Sequence, residues 1–73
     1  MIKMNEYRII VETTVTIGYE TATSDVLVVH AVTPMDAHKH VHDTLNWSNQ
    51  FISEIYLNHN DELVYDAQNG FIE

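Results

Sequence analysis

The chain has 73 residues, no cysteine, and 11 acidic against 3 basic residues, which gives a formal net charge of −8. A chain of this length builds one small core, so we expect a single small α+β domain over residues 1–73. The lack of cysteine excludes disulfides and thiolate metal sites. The negative charge argues against direct binding of nucleic acid or of anionic membranes. With no signal-peptide pattern and no apolar run long enough to cross a bilayer, we expect a cytoplasmic protein.

The first half of the chain predicts an antiparallel hairpin. From Tyr7 to Ile17, apolar and polar residues alternate with a period of two, which is typical of a half-buried strand whose odd-numbered residues point inward. The polar stretch from Gly18 to Asp25 is expected to form the connecting loop. The second strand, Val26 to Val32, is apolar on both faces. We assign inward the face whose small alanine permits close packing of a helix, namely Leu27, Val29 and Ala31.

A helix is predicted to begin at Pro34. Thr33 is a suitable N-cap, proline is favoured at the first helical position, and Asp36 places a negative charge near the positive end of the helix dipole. We expect the helix to extend to Asn46 or Trp47. Its inner stripe would consist of Ala37, Val41, Thr44 and Leu45.

Two further strands are predicted after the helix. Phe51 to Leu57 alternates as a third strand, the turn-rich stretch Asn58 to Asp61 follows, and Leu63 to Tyr65 forms a short fourth strand. The apolar end, Phe71-Ile72, either packs onto the domain or stays frayed. The predicted fold is therefore α+β, a four-stranded, mainly antiparallel sheet with one helix on one face, in the order β-β-α-β-β.

The outward face of the second strand predicts a subunit interface. Val26, Val28 and Val32 would lie there with His30, and so short a chain has little left to cover them. A second copy of the chain is the expected partner, since two-fold dimers are the commonest soluble oligomers. If His30 lay across the dimer axis, its protonation would weaken the dimer below about pH 6. Trp47 is expected either to pack over the sheet edge or to anchor a partner.

Three histidines in the pattern H-K-H-V-H are the feature that most suggests a metal. On a helix, His38 and His42 project from one side and His40 from nearly the opposite flank, so the three cannot bind one ion. His38 and His42 would supply two ligands of a zinc or nickel site, which a carboxylate or a histidine of another chain would complete. The zinc protease pattern H-E-x-x-H is not met. We therefore predict no metal and no cofactor, with His38 and His42 as the weak candidates.

No nucleophile pattern and no pair of carboxylates that must converge is found, so we expect a protein without catalytic activity. The first hypothesis is a small acidic protein-interaction module that dimerises through its sheet and binds another protein, such as a basic host protein. One alternative is a small-ligand or metal-binding protein that uses His38 and His42. Another is an inhibitor that mimics the charge of nucleic acid. In size, acidity and lack of a catalytic constellation the chain resembles small accessory proteins of phages, so the first hypothesis includes a phage-type accessory protein or an inhibitor of a host protein.

Overall fold

The computed structural model describes residues 3–15, 21–46 and 48–72. These residues form one helix and a five-stranded antiparallel sheet with the strand order β2-β1-β3-β4-β5. The elements are β1 (Asn5–Val15), β2 (Thr21–Ala31), α1 (Pro34–His42), β3 (Gln50–Leu57), β4 (Glu62–Asp66) and β5 (Gly70–Phe71). The helix lies between β2 and β3 in the chain and packs on one face of the sheet. Within the described ranges, no helix is long and apolar enough to span a membrane.

The predicted α+β class is confirmed, but the predicted number of strands was wrong, because the sheet has five strands rather than four. The additional strand, β5, pairs Phe71 with Tyr65 and Gly70 with Asp66. Asp66 closes the intervening turn by accepting a hydrogen bond from the backbone N–H of Asn69, and Gly70 has a φ of 79°, which favours glycine. Two residues are too few for a period of two to be visible in the sequence.

The first hairpin is longer than predicted on its β2 side. The register runs without interruption from Asn5 opposite Ala31 to Val15 opposite Thr21, so β2 begins five residues before the predicted Val26. The polar residues 21–25 of the predicted loop are therefore strand, paired along the length of β1. The rest of that loop, residues 18–20, and the predicted end of the first strand, residues 16 and 17, lie outside the described residues.

The helix begins where it was predicted and ends earlier. Thr33 caps it, with its side-chain oxygen accepting a hydrogen bond from the backbone N–H of Asp36 at 3.1 Å. The last helical residue is His42 rather than Asn46 or Trp47. The hydroxyl of Thr44 donates to the carbonyl of Val41 at 2.7 Å, so the residue expected on the inner stripe caps the helix end instead.

The core lies between α1 and the inner face of the sheet, which is the face that α1 covers. It contains Tyr7, Ile9 and Val11 of the predicted inward face of β1, and Ile9 and Ile55, opposite each other on β1 and β3, are completely buried. A nine-residue helix is about 13 Å long, whereas an 11-residue strand is about 36 Å long, so α1 covers only part of the sheet. The buried residues are Tyr7, Ile9, Val11, Ala31, Ala37, Val41, Ile52, Ile55 and Val64.

Candidate interaction surface

The outer face of the sheet, opposite α1, is formed by the even-numbered residues of β1 and their cross-strand partners. Side chains alternate along a strand, so the burial of Tyr7 and Ile9 on the inner face directs Arg8 and Ile10 outward. The register places partners of these residues on the same face of β2 and β3. The β2 partners are His30, Val28, Val26 and Ser24, and the β3 partners include Tyr56 and Glu54.

The β2 side of the outer face is apolar and exposed. Val26 and Val28, which we call the valine row, are each 55% exposed. Ile10 lies opposite Val26 on β1 and is half-buried. The sequence pattern predicted that these two valines lie on the face opposite the helix, and the strand register confirms this position. No element of the described residues covers it, because β2 has a hydrogen-bonded neighbour only in β1.

Two other residues of the expected interface are not part of the valine row. Val32 follows the end of β2 and lines a concavity of about 380 Å³ beside α1, together with Met4, Lys39 and His40. It is therefore exposed on the helix side of the molecule. Trp47 lies outside the described residues.

His30 lies at the end of the valine row and contacts a carboxylate of its own chain. Its Nε2 atom is 3.3 Å from Oε1 of Glu6, the residue opposite it on β1. Protonation of His30 would therefore place its charge next to a negative group. This contact weakens the expected effect of acid on a dimer, because the charge of each imidazole is balanced within its own subunit.

The β1–β3 side of the outer face carries polar and charged side chains, and Arg8 is at the centre of a network among them. Arg8 donates a hydrogen bond to Oδ1 of Asn58 at 3.0 Å, forms an ion pair with Asp61, and lies 4.9 Å from the centre of the Tyr56 ring. Asn58 in turn donates to Glu6. We call these five residues the Arg8 network. It ties β1 to the turn between β3 and β4, so this side of the outer face is suited to contact with water.

The Tyr56 hydroxyl extends this polar region. It donates a hydrogen bond to Oε2 of Glu54 at 3.1 Å, and this bond raises the pKa of Tyr56, with burial and the negative charge of Glu54 acting in the same direction. Glu54 lies opposite Asp66 on β4, a carboxylate pair that follows from strand register and that sequence reasoning missed. Hydrogen bonds from Asn69 lower the pKa of Asp66. Each of the two carboxylates also accepts a local hydrogen bond, Glu54 from Tyr56 and Asp66 from Asn69.

The histidines of α1 divide between two flanks, as helix geometry predicts. The His38 ring lies 5.3 Å from the His42 ring, 4.9 Å from Tyr65 and 5.5 Å from Phe71, measured between ring centres. Burial lowers the pKa of His38, and the charge of His42 lowers it further. His40 lines the concavity on the other flank.

The His38 flank borders a second concavity, of about 300 Å³, whose other lining residues are mainly apolar. Among the described residues, no group of three histidines, aspartates or glutamates is arranged to hold a metal ion. His38 instead packs edge-on against the aromatic rings of β4 and β5. The structure thus brings the two weak metal candidates together and gives His38 a packing role.

Comparison with protein-family models, with curated proteins and with solved structures found no match to this chain. The fold is α+β, with one helix on an open antiparallel sheet.

Proposed function

We propose that this protein is a non-catalytic interaction module that works as a homodimer, with the exposed β2 side of its sheet at the subunit interface. The observation that carries the proposal is the valine row. Val26 and Val28 are adjacent on one face of a strand that has only one neighbour, and each is 55% exposed. Covering the remaining apolar surface of each valine would contribute on the order of 1 kcal/mol.

Charge supports the same location for the interface. Two copies with a formal charge of −8 each repel one another over most of their surface. From Thr21 to Ala31, the only charged residue is Asp25. The β2 side is therefore where two copies approach with the least electrostatic cost, and the acidic remainder of the surface stays available to a basic partner protein.

The test is the mass of the protein in solution, measured by size-exclusion chromatography with light scattering over a range of concentrations. We expect a concentration-dependent dimer. Val28→Glu should convert it to a monomer, because the substitution buries a like charge at the interface of two acidic subunits. Met35→Glu is the matched control, since Met35 is also apolar and 65% exposed but lies on α1.

The far-ultraviolet circular dichroism of both variants should match that of the unchanged protein. A wild-type mass that stays monomeric at every concentration would contradict the proposal. So would an equal loss of dimer in Val28→Glu and Met35→Glu, because the interface would then not involve β2.

A further inference from the structure

We infer that the two subunits join edge to edge, with their β2 strands paired antiparallel about a two-fold axis at Leu27, so that the two sheets become one continuous sheet. The inference rests on the proposed function and specifies its geometry. The partner is a second copy of this chain, and the contact is a ladder of backbone hydrogen bonds with the valine rows beside it.

The hydrogen bonds of β1 show which backbone groups of β2 point to the free edge. The Glu6 carbonyl accepts from Asn58 N–H at 2.9 Å, and Thr14 N–H donates to the Asn49 carbonyl at 2.8 Å, both on the β3 side. Even-numbered residues of β1 thus bond towards β3 and odd-numbered residues towards β2. Odd residues of β1 pair with odd residues of β2. The N–H and C=O groups that point to the free edge are therefore those of Ser24, Val26, Val28 and His30.

This edge has few of the features that usually prevent strands from pairing. Such features are charged side chains, above all lysine, proline on the strand, a bulge, or a very short strand. β2 has 11 residues, contains no lysine, arginine or proline, and keeps a continuous register with β1, and its one acidic residue is Asp25, on the inner face. The opposite edge, β5, has two residues. Within the described part of the chain, β2 is thus the edge that is suited to adding a strand.

Leu27 is flanked by valine on both sides, at Val26 and Val28, and this favours a second copy over an unrelated strand as the partner. An axis at Leu27 places Val26 opposite the partner's Val28, and both residues direct their backbone groups to that edge. Leu27, which is 40% exposed on the inner-face side, meets the partner's Leu27. Asp25 then lies opposite the partner's Val29, so the two carboxylates do not face each other. An axis at Asp25 would place like charges together.

Single cysteine variants test the axis, because the chain has no cysteine of its own. At an antiparallel pair that is not hydrogen-bonded, the Cα atoms are about 4.5 Å apart, which is within the range that a disulfide spans. Leu27→Cys should therefore form a disulfide-linked dimer in oxidised glutathione. Thr23→Cys is the control, because it is exposed on the same side of β2 but would lie opposite the partner's Ala31. It should stay largely unlinked.

Val28→Pro provides a second test that does not depend on oxidation. Proline at this position removes only an N–H that points to the free edge, so β1 keeps its ladder and the chain should fold as a monomer. Val28→Thr, which retains the N–H and the branched shape, should remain dimeric. Light scattering and circular dichroism report both results.

The outcomes separate the inference from the proposed function. A wild-type monomer would overturn both. A wild-type dimer in which Leu27→Cys does not cross-link, or in which Val28→Pro stays dimeric, would overturn edge pairing at Leu27 while leaving the homodimer intact.

Discussion

The two faces of the sheet carry similar branched apolar side chains that differ in burial. On the inner face, Ile9 and Ile55 are completely buried under α1, whereas on the outer face Val26 and Val28 are each 55% exposed. The inner face has no buried polar or charged residue among those described. The outer face combines the valine row with the Arg8 network. Burial thus stabilises the fold on the inner face, whereas Val26 and Val28 keep apolar surface exposed on the outer face.

The difference arises from the reach of the helix rather than from composition. Within β2, Ala31 is buried where α1 crosses the strand, but Leu27 on the same face is 40% exposed. On its inner face, β2 is therefore less covered with increasing distance from α1. Strand order makes β2 an edge of the sheet among the described residues, and we propose that a second subunit covers this edge.

The largest expected effect is on the free energy of unfolding, and it should differ between substitutions on the two faces of the sheet. Ile55→Ala should lower the free energy of unfolding by about 2 to 5 kcal/mol, because it removes buried methylene groups and leaves a cavity. Val28→Ala should lower it by less than about 1 kcal/mol at concentrations where the protein is monomeric, since Val28 is largely exposed. Urea denaturation measures both. Equal losses would show that the outer face contributes to the core of a single subunit.

Local patterns in the sequence predicted the inner face well. The alternation of β1 indicated which of its residues are buried, and Thr33-Pro34 indicated the start of α1. Element ends were predicted less well. Residues 21–25 form strand because they pair with β1. This pairing is a non-local interaction, which the local sequence pattern does not show. The end of α1 depends on the hydrogen bond from Thr44 to the Val41 carbonyl, which helix propensity does not encode.

The candidate surface was predicted only in part, for a similar reason. Val26, Val28 and His30 were placed opposite the helix because strand residues alternate and because the small Ala31 was assigned to the face that the helix covers. That β2 is an edge strand depends on strand order, which composition and periodicity do not determine. The contact of His30 with Glu6 depends on strand register. The Arg8 network was not predicted at all, because Arg8 and its ion-pair partner Asp61 are separated by 53 residues in the chain.

A smaller effect should distinguish the polar part of the outer face from the valine row. Arg8→Met keeps an apolar stem near Tyr56 but removes the hydrogen bond to Asn58 and the ion pair with Asp61. We expect a loss of about 1 kcal/mol in the free energy of unfolding, because these groups are partly exposed to solvent. The mass in solution should not change.

Lys39→Met is the matched control for Arg8→Met. It removes the same positive charge from an exposed position on α1 and should change the free energy of unfolding by less than about 0.5 kcal/mol. If Lys39→Met lowered the free energy of unfolding as much as Arg8→Met, the effect of Arg8→Met would come from the change in net charge and not from the Arg8 network. If Arg8→Met were a monomer in solution, the subunit interface would include the Arg8 network.

The smallest expected effect concerns the inner side of the helix, where His38 packs against Tyr65 and Phe71. Burial, followed by the charge of His42, lowers the pKa of His38 in the folded protein below its ordinary value of 6.5. Below that pH the unfolded chain binds a proton more readily than the folded chain, so the free energy of unfolding falls as the pH decreases from about 7 to 5. His38→Gln should flatten this slope, measured by urea denaturation at several pH values. His59→Gln, in the exposed turn after β3, should leave it unchanged. If both variants kept the wild-type slope, the acid sensitivity would arise outside the aromatic cluster, and the inner face would contain no group whose protonation opposes folding.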